Sequence, residues 1–284
     1  MVRPVYPIIT KRVRMVWVHF LLAVQFLTII PVRMETDFSE EEIPRSAVFF
    51  PAVGAVQGCF ATGVAFFAIP LFTPEIAGVL PVLALVISNG GFHLDGLADT
   101  FDALAVKSSG ERGADRTKRL AVMKDSSTGA IGVTAITLVL LMKCLLISNI
   151  ISCSASLAPY ALLFLLPVFS KWAMVPAAYH GIAARKDGLG RLFIENVQAK
   201  DLALSSVITL FLSFVVASIL QQTSSTAWAL LFILLAALYI FSFAAVKFCR
   251  LKFGGITGDS FGAISEIAEI VFLMVALLWL RHYI

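Results

Sequence analysis

Long apolar runs alternate with polar segments along almost the whole chain. Runs close to the roughly 17–25 residues that cross a bilayer occupy 48–71, 76–92, 130–150, 157–179, 202–220, 227–246 and 263–280. A shorter run at 15–32 carries Pro31 near its end. Backbone groups in lipid must be satisfied within the segment, so each run predicts a helix. The fold expected is an all-α polytopic helical bundle of about seven spans.

The polar intervals differ in kind. Segments 93–129, 180–201 and 247–262 are rich in Lys and Arg, whereas the connectors near 72–75, 152–156 and 221–226 contain neither. The excess of Lys and Arg on cytoplasmic loops places the first three inside and the other three outside. The basic stretch Met1–Arg14 and the acidic loop 33–46 then both lie inside only if 15–32 re-enters or follows the interface. A plain eight-span arrangement with an outside N-terminus is the alternative; in the first arrangement the C-terminus is outside.

Composition agrees with a membrane protein. Of 284 residues 59% are hydrophobic and 14% charged, and mean hydropathy is +0.92, values too apolar for a soluble domain. The chain reads as one integral-membrane domain, 1–284. Its net charge of +4 sits in loops beside spans, where orientation explains it without nucleic acid. The four cysteines have no paired spacing and read as small core residues. No basic stub, short apolar core and small-residue cleavage site marks a signal peptide.

Chemistry concentrates in the basic intervals. In Gly90-Gly91-Phe92-His93-Leu94-Asp95-Gly96-Leu97-Ala98-Asp99-Thr100-Phe101-Asp102 a helix would set Asp95, Asp99 and Asp102 at i, i+4 and i+7, on one face. Like charges so placed repel unless a cation lies between them, and Mg2+ takes carboxylate oxygens while sharing its shell with phosphates. Gly254-Gly255-Ile256-Thr257-Gly258-Asp259 repeats the theme, with Glu266 and Glu269 further along the same helical face. Asp95, Asp99, Asp102, Asp259 and Glu266 are the expected metal ligands.

Between these stretches, Lys124-Asp125-Ser126-Ser127-Thr128-Gly129 offers hydroxyls, glycines and, with Arg119, positive charge suited to phosphate oxygens. The alternative use of Asp125 or Ser126 is to cap the next span. Lys171 lies within a span and needs either a buried partner or a route to the interface. Lys143 reads as structural. His93 adjoins the aspartates and is expected to bind or orient substrate. No nucleophile triad, P-loop or dinucleotide fingerprint is present.

The motif Gly91–Asp102, together with Arg119-Leu120-Ala121-Val122-Met123-Lys124-Asp125-Ser126 and Gly129, resembles the cobalamin synthases, the adenosylcobinamide-GDP ribazoletransferases. Leu22–Thr28, Phe50–Gly54, Ser170-Lys171-Trp172 and Gly254–Asp259 extend the resemblance over essentially the whole chain. Lys171 stands where that pattern has Arg, and Ser127 where it often does. The resemblance implies a Mg2+-dependent transfer in which a hydroxyl of alpha-ribazole, or of its 5′-phosphate, attacks the cobinamide phosphorus of adenosylcobinamide-GDP and GMP leaves. Fitted to that chemistry, the residues read as Asp125, Asp102 and Lys124 in catalysis, with Asp125 preferred to Asp259 as base. Arg119, Lys171, His93 and Ser126 would bind substrate. The resemblance also implies a multi-pass protein of a bacterial or archaeal cytoplasmic membrane, its active site facing the cytoplasm; self-association into a homo-oligomer stays open. Rival readings are another membrane transferase acting on a metal-bound diphosphate, of the CDP-alcohol phosphotransferase or prenyltransferase kind, and an ion-coupled transporter.

Overall fold

Eleven helices account for most of the computed structural model, which describes residues 6–32, 42–125, 127–154, 157–220 and 227–283. They are α1 (Tyr6–Leu27), α2 (Phe50–Leu71), α3 (Pro74–Ser88), α4 (Phe92–Ala105), α5 (Arg112–Val122) and α6 (Ala130–Cys153). They continue as α7 (Ala158–His180), α8 (Leu189–Asn196), α9 (Ala199–Leu220), α10 (Ala227–Phe253) and α11 (Gly258–Tyr283). A 3-10 turn, Pro44–Phe49, leads into α2.

Among the described residues six helices, α2, α6, α7, α9, α10 and α11, are long and apolar enough to span a membrane. The seventh expected span is broken. Helix α3 has 15 residues, about 22 Å at 1.5 Å per residue, too short for a hydrocarbon core of about 30 Å. The chain then turns by 90° into α4. The apolar run 76–92 therefore stops at Ser88.

Helix α7 is the central post: 89% of its most apolar stretch is buried, against 28–39% for α2, α6, α9 and α10. Close approach to it depends on missing side chains. A Cβ at Gly54 or Gly58 of α2 would overlap the carbonyls of Pro167 and Phe164 on α7. The pair is spaced as Gly-x-x-x-Gly, which lets two backbones meet without the hydrophobic drive that lipid removes. Outward faces carry Phe66 and Phe67 on α2, Leu141 and Leu145 on α6, Phe211 on α9 and Ile240 on α10, all exposed as lipid-facing residues should be.

The three basic intervals meet at one end of the bundle. Arg116 and Arg119 of α5 donate to the carbonyls of Arg250 and Lys252, capping the last turn of α10. Ala183, after α7, pairs with Ile256, before α11, in a parallel bridge. Helix α1 packs against this end. Its Phe20 meets Phe49, and Phe26, almost two turns on, meets the adjacent Phe50 together with Phe193 of α8. Gln57 of α2 donates to the Leu27 carbonyl ending α1 and to Ser88 Oγ ending α3, tying both broken ends to the bundle.

Candidate active site

Gly90 and Gly91 make the bend that presents the aspartate motif. Both have positive φ, 64° and 75°, a region that glycine enters without steric cost, and Asn89 Oδ1 accepts the Gly91 amide at 2.9 Å. Helix α4 then buries Leu94, Leu97 and Ala98 and leaves Asp95 exposed, with Asp99 and Asp102 partly so. Gly96 and Gly262 bring α4 onto α11: Cβ atoms there would lie 2.6 Å from the Asp259 carbonyl oxygen and 3.0 Å from His93 backbone atoms. Asp259 thereby joins Asp95 and Asp99, and Asp99 senses the charge of both neighbours. Arg185 answers from the loop after α7, 3.1 Å from Asp259.

Asp102 shares that face of α4, but its carboxylate is taken by α6. Its carboxylate accepts the amides of Gly129 at 2.7 Å and Gly132 at 2.8 Å, free donors at the start of α6. A carboxylate from a neighbouring helix thus serves as the cap that Gly129 cannot supply from its own side chain. Asp125 is exposed and accepts the Ser127 amide at 3.0 Å, which holds its carboxyl below the usual range. Lys124 bridges to Asp187 at 2.8 Å, and that hydrogen bond likewise holds the Asp187 carboxyl down. Arg119 spends Nη1 on the Lys252 carbonyl. Ser126 lies outside the described residues. Behind the site, the α4–α5 loop closes on Asp115, which accepts from Ser108 and from the Ser109 amide and hydroxyl and is held at about 2.

Beside the carboxylates is a cavity of about 640 Å³. Phe26 of α1, Phe92, Met174 and Phe261 make its apolar walls, Arg185, Asp187, Arg191 and Asp259 its polar rim, and His93 also lines it.

Two expected site residues sit deeper. Lys171 is 1% exposed and Glu266 1% exposed, so neither reaches the surface cluster. Lys171 stays in the core beside Ser265, His93 and Glu269. Glu266 is separated from Asp95, Asp99 and Asp259 because Lys143 takes it, together with Glu269, into a buried ion cluster. Lys143, expected to be structural, is thus held between two buried carboxylates.

Among the described residues no three His, Cys, Asp or Glu side chains form a ready-made metal cage. Mg2+ asks for less, since it keeps several waters and takes one or two carboxylates together with substrate phosphates. Asp95 and Asp99, on successive turns of α4, fit that demand. Sequence reasoning did not single out Arg185, Asp187 and Arg191. A signal existed in Gly255, where a Cβ would overlap the Ile182 carbonyl, but the loop it admits has no motif of its own.

The fold and site define a multi-pass helical membrane enzyme whose polar chemistry is gathered at one end of the bundle. Residues 19–277 match the family described as cobalamin-5-phosphate synthase. An adenosylcobinamide-GDP ribazoletransferase of Thermodesulfovibrio yellowstonii is 36% identical over 268 residues, covering 93% of this chain and 99% of the relative. Proteins of that name from Acetivibrio thermocellus and Fusobacterium nucleatum are 35% and 34% identical, over 90% and 91% of this chain and 96% of each relative. No solved structure matches the chain. The chain belongs to the cobalamin-5-phosphate synthase family and is a transferase of cobalamin biosynthesis. Membership sets aside the transporter and the other transferase readings.

Proposed function

We propose that this protein transfers the adenosylcobinamide-phosphate group of adenosylcobinamide-GDP to alpha-ribazole or its 5′-phosphate, with release of GMP. The observation that carries the reading is the 640 Å³ cavity whose rim joins Asp259 to Arg185 and Arg191 beside the α4 carboxylates. Pockets of about 300–1,000 Å³ hold drug-sized molecules, so this one suits a nucleoside. A corrin ring with its adenosyl ligand is far larger and stays at the open rim. The apolar walls favour a flat base.

Asp95 and Asp99 would hold a divalent cation, Mg2+ in this reading, which when bound offsets diphosphate charge and stabilises the departing phosphate. Arg185 and Arg191 bring positive charge to the cavity edge for the same oxygens. Asp259 lines the cavity and Asp125 does not, so Asp259 takes the proton of the attacking hydroxyl, the role the sequence suggested for Asp125. Asp102 is then a positioning group through α6. The three basic intervals at one end support a cytoplasmic-facing site in a prokaryotic inner membrane.

Membranes containing the protein, given adenosylcobinamide-GDP, alpha-ribazole and Mg2+, should yield GMP and adenosylcobalamin in equal amounts. GMP formation that does not depend on alpha-ribazole, or no GMP, would overturn the reading.

A further inference from the structure

Beneath the cavity lies a charged cluster with no part in the transfer as drawn. Lys171 Nζ is 2.8 Å from Ser265 Oγ, 3.2 Å from His93 Nδ1 and 3.8 Å from Glu269 Oε1. An ammonium has three N–H donors and no lone pair, and here it meets three groups. Lys143 lies 2.5 Å from Glu266 and 2.6 Å from Glu269, and Ser170 donates to Glu269 at 3.2 Å. Two ammoniums and two carboxylates balance with the imidazole neutral. A neutral Lys171 would leave net negative charge buried among membrane helices, which is costly.

Among the described residues Lys171 is the hydrogen-bond partner of the His93 ring. Since the ammonium can only donate, Nδ1 must accept, and a neutral imidazole that accepts at Nδ1 carries its proton on Nε2. We propose that Lys171 is a positioning residue that locks His93 in the Nε2–H tautomer, so that the ring offers the cavity a hydrogen-bond donor for an anionic oxygen and cannot serve as a base. The lysine acts through the histidine and stays out of reach of substrate. Only the identity of the oxygen rests on the reaction proposed above; the tautomer does not.

Nitrogen-15 NMR of the full chain in bilayers, labelled at its four histidines, reads the tautomer without substrate, and His93→Gln identifies the His93 signals. The expected result near neutral pH is a protonated Nε2 and a bare Nδ1. A protonated Nδ1, alone or in an imidazolium, would overturn the proposal. Lys171→Arg, another side chain that only donates, should keep the tautomer. Lys171→Met with Glu269→Gln, which keeps the buried charges balanced, should release the proton to Nδ1; an unchanged tautomer there would sink the role of Lys171. Should that double variant not accumulate, Lys171→Met with Glu266→Gln, which leaves Lys143 paired with Glu269, makes the same test.

In turnover, His93→Ala should lower kcat on the order of 10²-fold, the scale of one lost transition-state donor, with KM little changed. His93→Gln, whose amide still donates, should lose less, and equal losses would refute the donor role. The expected tautomer in a protein that forms no GMP would leave this inference standing and overturn the proposed reaction.

Discussion

Asp102→Ala separates two readings of the third aspartate in the motif. The substitution removes the acceptor of the Gly129 and Gly132 amides, at 2.7 and 2.8 Å, and the negative charge at the positive end of α6. A hydrogen bond to a charged group contributes about 1.5–3 kcal/mol, and a lost cap costs about 0.5–2 kcal/mol. Asp102 and Gly129 are half-buried, so water can reach one freed amide and the lower end applies to it, whereas Gly132 is buried and its amide stays unpaired. The expected loss is about 2–3 kcal/mol for the pair. Asp102→Asn keeps one oxygen and loses the charge, so about half that loss is expected. The assay is reversible unfolding in mixed micelles of dodecylmaltoside with increasing SDS, followed by far-UV circular dichroism. A metal ligand would behave otherwise, with both substitutions abolishing activity and neither moving the unfolding midpoint. Equal stability of wild type, Asn and Ala would refute the capping role.

Four further outcomes can be checked. Asp95→Asn and Asp99→Asn should each lower Mg2+-dependent GMP release on the order of 10²–10³-fold, the scale of losing charge stabilisation at the transition state, with the unfolding midpoint unchanged; unaltered turnover would remove the metal role. Gly58→Val should force α2 off α7 and cost at least about 1–3 kcal/mol as overpacking, seen in the same SDS titration. Lys143→Met should cost about 3–5 kcal/mol by leaving buried charge unpaired, and adding Glu266→Gln should restore most of it. Asp115 has its carboxyl lowered from 3.8 to about 2, so the stability it gives the α4–α5 loop is complete above the unfolded value and is lost as pH falls through the folded one. Pepsin cleavage of the loop should rise steeply between about pH 4 and pH 2, and Asp115→Asn should remove that dependence.

The spans were readable because lipid imposes a length and a composition that few other environments do. The bend at Gly90–Gly91 was not, since the apolar run 76–92 continues through it and hydropathy carries no record of backbone φ. Helical spacing correctly put Asp95, Asp99 and Asp102 on one face of α4. It could not say that Asp102 would turn to the start of α6, because that depends on where Gly129 and Gly132 arrive. Asp259, Glu266 and Glu269 looked equivalent by the same spacing. Depth separates them: Asp259 opens α11 at the cavity rim, whereas the glutamates lie turns below it, level with Lys143. Arg185 acquires its place through contact with Asp259 and through the strand-like pairing of Ala183 with Ile256, neither of which is local in sequence.

The buried ion cluster has a consequence for how the chain is made. Lys143 and Lys171 belong to α6 and α7, and Glu266 and Glu269 to α11. Helices leave the ribosome in order, so α6 and α7 enter the bilayer with two positive charges whose counter-charges have not been synthesised. They stay unneutralised until the final span arrives. A chain halted before α11 therefore lacks both carboxylates that pair with these lysines.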